Sequence, residues 1–175
     1  MKKLLLLIVI AFLTLITHAQ KGQNQIGVAF EAGLPMGDFS DAAKTGFGGL
    51  LKGLYGVGEA GQMTFTTGYS TFKWKNLGSE ESGSSWIMPF MLGYRQNFSG
   101  FYAEPELGYG LVGSKYNVTG MSASSSASAF AWGAGIGYAK NGFDAGVRYQ
   151  GLTKDGTVSV IGLHVGYNFT LGGAK

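Results

Sequence analysis

Apolar side chains alternate with small or polar ones along eight separate segments of this chain, and this period of two constrains the fold more than any other feature. In the first segment, Ile26, Val28, Phe30, Ala32 and Leu34 share one face, and the residues between them share the other. Alternation of this kind is typical of β-strands, in which successive side chains point to opposite faces of a sheet. The sequence therefore predicts an all-β protein.

The same alternation predicts seven strands after the first, which covers residues 25–34. They lie approximately at residues 48–57, 63–70, 86–95, 101–111, 130–138, 143–150 and 161–169. Short turns are predicted at residues 59–60, 97–100 and 140–142. Longer polar segments alternate with them, at residues 35–46, 76–84 and 113–128, together with a shorter one at residues 153–157. Short turns on one rim and longer loops on the other are typical of transmembrane β-barrels.

The volume of the side chains decides which face lines the interior. An eight-stranded barrel has an interior just wide enough for side chains to fill. The apolar face carries large side chains on every strand, including Trp86 and Trp132, and would overfill that space. The glycine-rich face fits there instead, so the apolar face points outward, where only lipid can cover so large a belt. We therefore predict a closed, eight-stranded, antiparallel up-and-down transmembrane β-barrel.

The N-terminus has the layout of a cleavable signal peptide. Lys2 and Lys3 precede an apolar stretch over residues 4–16, which is followed by the small-residue site Thr17-His18-Ala19. A run of about 13 residues is shorter than the roughly 20 that a helix needs to cross a bilayer. We expect cleavage after Ala19, which gives a signal peptide at residues 1–19 and a barrel domain at residues 20–175.

Composition excludes several other classes of protein. Of the 13 basic residues, two lie in the predicted signal peptide, so 11 remain against 10 acidic residues, and no basic cluster suggests nucleic-acid binding. The absence of cysteine excludes a disulfide scaffold. The many aromatic residues, 12 Phe, 9 Tyr and 3 Trp, argue against disorder. We expect no cofactor and no metal site.

Charged residues on the inward face are the most informative polar positions, because buried charges need partners. We interpret them as a salt-bridged plug in which Arg95 approaches Glu104 across a short turn; a proton or solute relay is the alternative. The predicted network consists of Glu31, Lys52, Arg95, Glu104, Glu106, Asp144, Arg148 and His164. Pro89 and Pro105 interrupt predicted strands, so a bulge or a missing bond is expected at each.

His164 is the single histidine that remains after the predicted cleavage. Some eight-stranded barrels are lipid-modifying enzymes that combine a histidine with a serine and an acidic residue. No sequence feature places a serine near His164, so we interpret it as a hydrogen-bonded interior residue and predict no catalytic site.

Residues 92–95, 104–110 and 165–169 carry patterns of glycine, aromatic and polar residues within the predicted strands. Through these segments the chain resembles the small outer-membrane β-barrels of the OmpX and OmpA-barrel type, over the whole predicted mature length. The resemblance implies the outer membrane of a Gram-negative-type bacterium, contact with lipid and lipopolysaccharide, and insertion by the barrel-insertion machinery. In that family an aromatic residue usually ends the last strand and the chain, whereas here residues 171–175 extend past Phe169.

Three hypotheses for function remain open. The first is a structural barrel without an open pore, which supports envelope integrity and presents loops outside. The second is a binding or adhesion protein with an unknown loop-binding partner, suggested by the serine-rich segment 113–128. The third is a soluble, lipocalin-like carrier, which would require the apolar face to point inward.

Overall fold

A computed structural model describes residues 24–58, 60–75, 81–118 and 121–172, and the predicted signal peptide lies outside these ranges. The described chain forms eight antiparallel strands, which confirms the predicted fold class. Their bounds are β1 (Asn24–Met36), β2 (Gly46–Gly56), β3 (Gly61–Lys73), β4 (Glu81–Phe98), β5 (Phe101–Val118), β6 (Met121–Lys140), β7 (Phe143–Thr153) and β8 (Thr157–Gly172).

Each strand pairs with the next along the chain, and β8 pairs with β1, so the sheet closes into a barrel. A row of paired residues followed from Gln25 across all eight strands returns to β1 at Pro35, ten residues further along. The row passes through Leu54, Thr64, Gly93, Glu106, Gly133, Gln150 and Val160. A stagger of this size tilts the strands by about 40° from the barrel axis.

Two of the predicted short turns are two-residue hairpin loops. Ser99 and Gly100 connect β4 to β5, and Asn141 and Gly142 connect β6 to β7. All four residues have positive φ, from 53° to 103°, as type I′ turns require. Glycine at the second position adopts this conformation without steric cost.

The predicted loop over residues 113–128 is wrong. β5 continues to Val118 and β6 begins at Met121, so most of this segment forms a hairpin that extends the barrel wall. β4 likewise begins at Glu81, inside the predicted loop 76–84. The serines and alanines at the start of β6 show no alternation of apolar and polar residues, so the sequence did not predict a strand there. They adopt the strand conformation because they pair with β5.

Pro89 and Pro105, which lie in the middle of β4 and β5, each interrupt the hydrogen-bonded pairing with one of the two neighbouring strands, as predicted. Pairing between β3 and β4 passes from Thr67↔Phe90 to Ser70↔Ile87 and omits Pro89. Pairing between β4 and β5 likewise omits Pro105. The register is the same before and after each gap. With the other neighbouring strand the pairing is intact, because Pro89 pairs with Gly110 of β5 and Pro105 pairs with Ala134 of β6. The missing N–H therefore removes bonds locally without a shift of the strands.

The apolar face points outward, as the side-chain volumes predicted. Leu92, Leu107 and Ile136 are more than 60% exposed in the middle of the wall. Aromatic residues form a girdle near the short turns, namely Tyr94, Phe98, Phe101, Tyr138, Phe143, Tyr167 and Phe169. A second girdle lies nearer the long connections and consists of Phe47, Tyr69, Trp86, Phe90, Tyr109, Phe130, Trp132 and Tyr149. An apolar band between two aromatic girdles matches the layers of a bilayer.

The connection between β1 and β2 contains a short helix, α1 (Asp38–Ala42), which begins after Gly37. Among the described residues, no helix has the length and apolar character needed to cross a membrane.

Candidate functional site

The side chains that fill the barrel change in character along its axis. On β3 the inward residues run from Gln62 at the short-turn end through Thr64, Thr66 and Ser70 to Phe72. β4 follows a similar order, from Asn97 through Arg95 to Met91 and Ile87, and β8 runs from Asn168 through His164 to Val160. The interior is therefore layered, with an ionic layer between an amide-lined end and an apolar end.

The first half of the ionic layer is centred on Arg95, whose side chain is only 1% exposed. Its Nε and Nη2 atoms lie 2.9 Å from Glu104 Oε2, and its Nη1 atom lies 2.8 Å from Asp144 Oδ2. The guanidinium also lies over the ring of Tyr102, 3.7 Å from the ring centre. Lys52 donates to both oxygens of Glu104, at 2.8 and 2.9 Å. Arg95, on β4, therefore joins the carboxylates of Glu104 on β5 and Asp144 on β7.

Asp144 accepts further hydrogen bonds, from the Tyr102 hydroxyl at 2.7 Å and from the Asn168 amide at 2.9 Å. His164 Nε2 lies 3.0 Å from the same hydroxyl and 3.4 Å from Asp144 Oδ1. Since the Tyr102 proton is directed to Asp144, the phenol oxygen is an acceptor and His164 Nε2 carries a proton. His164 is thus held as an interior hydrogen-bond donor.

The second half of the ionic layer is centred on Arg148, whose Nη2 lies 3.0 Å from Glu31 Oε2. Its Nη1 lies 3.6 Å from Glu106 Oε2. Hydroxyl groups complete the coordination of the carboxylates: Thr66 donates to Glu106 at 2.5 Å and Ser70 to Glu31 at 3.5 Å. The eight residues that the sequence singled out thus lie in one layer, in two groups.

Four carboxylates in this layer share three basic side chains, Lys52, Arg95 and Arg148, and hydroxyl and amide groups also donate to the carboxylates. Tyr102, Thr66 and Asn168 were not singled out from the sequence as members of the network. Their inward positions followed from alternation. Because they are uncharged, however, the sequence did not indicate that they would contact the buried carboxylates. Among the described residues, no group of histidine and acidic side chains is arranged to hold a metal ion.

An apolar cluster closes the barrel beyond the ionic layer, on the side of the long connections. Phe72, Met91 and Leu152 are the largest members that are at most 1% exposed. α1 lies over this end and contributes Phe39, whose ring packs edge-on against Phe72 at a centroid distance of 5.3 Å. Phe72 and Leu152 lie just beyond the predicted strand ends, so the sequence did not reveal this cluster.

The opposite end of the barrel is open. A cavity of about 790 Å³ lies among the short turns and reaches inward to Arg95. Amides line it in a chain, because Asn97 donates to Gln62 and Gln62 donates to Gln25, each at 3.2 Å. The cavity is a polar vestibule whose inner wall belongs to the ionic layer.

β4, β5 and β6 continue past the apolar cluster as a three-stranded extension. β7 ends at Thr153, which pairs with Phe130, so residues 121–129 of β6 pair with β5 alone within the described chain. The outer edge of β6 is therefore an open sheet edge, and most of its side chains are exposed.

Several solved structures share this architecture. The crystal structure of Ail, the attachment invasion locus protein of Yersinia pestis, covers 85% of this chain and 99% of its own, with 19% identity and a TM-score of 0.64. The N-terminal β-barrel domain of Pseudomonas aeruginosa OprF covers 85% and 100%, with 16% identity and a TM-score of 0.58. Neisserial surface protein A covers 86% and 100%, with 16% identity and a TM-score of 0.59. At these identities the likeness establishes the fold.

No curated protein sequence matches the chain. The family model of the outer membrane protein β-barrel domain matches residues 5–169, which is nearly the whole sequence. The closed eight-stranded barrel and its outward apolar belt agree with that match. The outward direction of the apolar face is the opposite of what a lipocalin-like carrier would require. The chain is an outer-membrane protein of the Gram-negative type and belongs to the outer membrane protein β-barrel domain family.

Proposed function

We propose that this protein is a structural barrel of the outer membrane, without enzymatic activity and without an open pore. In this role its partners are outer-membrane lipid and lipopolysaccharide, with the barrel-insertion machinery acting during biogenesis after cleavage of the signal peptide. The barrel contributes to envelope integrity, and its extended strands face the outside of the cell.

The filled interior is the observation that carries this proposal. A solute that entered the vestibule would meet Arg95, which is held by two carboxylates. Beyond it, the apolar cluster and α1 occupy the rest of the passage. Passage of a hydrated solute would require ion pairs to separate in a poorly hydrated space and several packed apolar side chains to move.

Planar-bilayer recording tests this closure. We expect the folded wild-type protein to give no steady, solute-sized conductance. Replacement of Phe72, Met91 and Leu152 by alanine, which removes three of the largest side chains of the apolar cluster, should raise the leak. A steady wild-type conductance of solute size would contradict the proposal, and the lipid-facing variant Leu92→Ala is the matched control that should leave the recording silent.

Binding through the extended strands is a second candidate function, supported by the open edge of β6. An exposed edge presents unpaired N–H and C=O groups with which an extended segment of another protein can pair. Serine and alanine side chains over residues 122–129 leave the backbone accessible. The related barrel Ail is named as an attachment invasion locus protein, which is consistent with a surface-binding role for this architecture.

A shortened hairpin tests this second function. Gly113 pairs with Ser126, so residues 114–125 can be replaced by an Asn-Gly turn without a change in the register of the barrel below. We expect the variant to fold in lipid like the wild type, while bacteria that display it adhere less to host cells. Equal adhesion by wild-type and shortened proteins would exclude a role of the hairpin in attachment.

A further inference from the structure

Charges that point outward from the described strands are all positive. The strand carboxylates Glu31, Glu104, Glu106 and Asp144 are buried inside the barrel, and alternation along β4 places Glu81 on the inward side of the extension. The outward charges are Lys73 and Lys115 on the side of the long connections and Lys140 at the short-turn rim.

Lys73 and Lys115 lie in one row across three strands. Ser84 on β4 pairs with Lys73 on β3 and with Lys115 on β5, so the serine lies between the two lysines. Two strand spacings separate the lysine Cα atoms, which is about 10 Å. Both lysines are exposed, and neither makes an ion pair with any residue that the structure describes. Their flexible side chains can therefore converge on a group above Ser84.

The level of this row in the membrane follows from the residues next to it. The adjacent outward row contains Trp86 paired with Gly113, where a Cβ atom on the glycine would lie 2.3 Å from the indole ring. Trp86 also stacks on Tyr69, with 5.9 Å between the ring centroids. Tryptophan and tyrosine mark the boundary between hydrocarbon and headgroups. One row further out, the lysines lie in the headgroup layer.

We propose that Lys73 and Lys115, with the Ser84 hydroxyl between them, bind a phosphate group of an outer-leaflet lipid. The two ammonium groups and the hydroxyl donate to phosphate oxygens, and the acyl chains of the same lipid lie along Tyr69 and Trp86. Charge complementarity supports this occupant, because no described strand carboxylate points outward to compete for the lysines. The inference rests on the proposed function, since it requires the long connections to lie on the side of the membrane that faces the outside of the cell.

Native mass spectrometry of the folded full chain tests the site, with bis-phosphorylated lipid A as the probe. A lysine near an anionic membrane surface contributes about a factor of five in affinity, so the double variant Lys73→Gln/Lys115→Gln should bind about 30-fold more weakly. Lys140→Gln, which removes the outward lysine of the other rim, is the matched control and should bind like the wild type. The double arginine variant should retain binding, because it keeps both charges.

Two further arms identify the ligand. Dephosphorylated lipid A should bind the wild type as weakly as bis-phosphorylated lipid A binds the double glutamine variant, and millimolar inorganic phosphate should not displace the lipid. The site is disproved if the double variant binds like the wild type, if lipid without phosphate binds equally, or if free phosphate displaces the lipid. Membrane insertion and conductance, measured on the same preparations, report separately on the proposed function.

Discussion

Arg95→Ala should lower the free energy of unfolding by about 3 to 5 kcal/mol, the penalty typical of breaking a buried ion pair. The substitution removes the group that joins Glu104 to Asp144, at 2.9 and 2.8 Å. Lys52 would still contact Glu104, but Asp144 would keep only uncharged donors and His164. Urea-induced unfolding in lipid vesicles measures the loss.

A double-mutant cycle with Glu104→Gln separates the pair from the rest of the layer. Because each single variant leaves one charge without its partner, the double variant should lose less stability than the sum of the two single losses. Lys140→Ala, at an exposed rim position, should change stability by no more than about 0.5 kcal/mol. Strict additivity, or an Arg95→Ala variant as stable as Lys140→Ala, would contradict the ionic layer.

Leu92→Arg should destabilise the barrel by about 2 to 4 kcal/mol, as for arginine on the lipid face near the bilayer midplane. Leu92 is 62% exposed and pairs with Phe65 and Leu107, which are also exposed to lipid. The guanidinium would have no partner in hydrocarbon and would have to reach a distant interface. The same urea titration measures the effect.

The control for Leu92→Arg is an arginine placed at a different depth in the membrane. Phe98 is similarly exposed, at 58%, but it lies beside the Ser99–Gly100 turn at the membrane boundary. Arginine there can reach water, so Phe98→Arg should cost no more than about 1 kcal/mol from its charge. Equal losses at Leu92 and Phe98 would show that no hydrocarbon layer separates the two positions.

The strands and the direction of their faces could be predicted because alternation is a local property. Leu92 and Arg95 fall on opposite faces by counting residues, and the volume of the interior then assigns the faces to lipid and lumen. The proximity of Arg95 to Glu104 was also predictable, since a two-residue turn places them on neighbouring strands.

Contacts between side chains on strands that are not adjacent depend on the strand register and on the closure of the barrel, which alternation alone does not specify. Arg148 and Glu31 are 117 residues apart in sequence, and they meet only because β8 pairs with both β1 and β7. The extension of β6 was missed for a different reason. Its serines and alanines have weak strand propensity, and the partner strand determines their conformation.

One set of unfolding measurements in lipid vesicles distinguishes a barrel whose apolar face points to lipid from one whose apolar face points inward. With the charged layer inside and lipid outside, Arg95→Ala should lose about 3 to 5 kcal/mol, and Leu92→Ala should lose clearly less. A barrel with its apolar face inward would give the reverse, with a loss of about 2 to 5 kcal/mol for Leu92→Ala as a core truncation and almost none for Arg95→Ala. That reversed order would show that the apolar face lines the interior of the barrel.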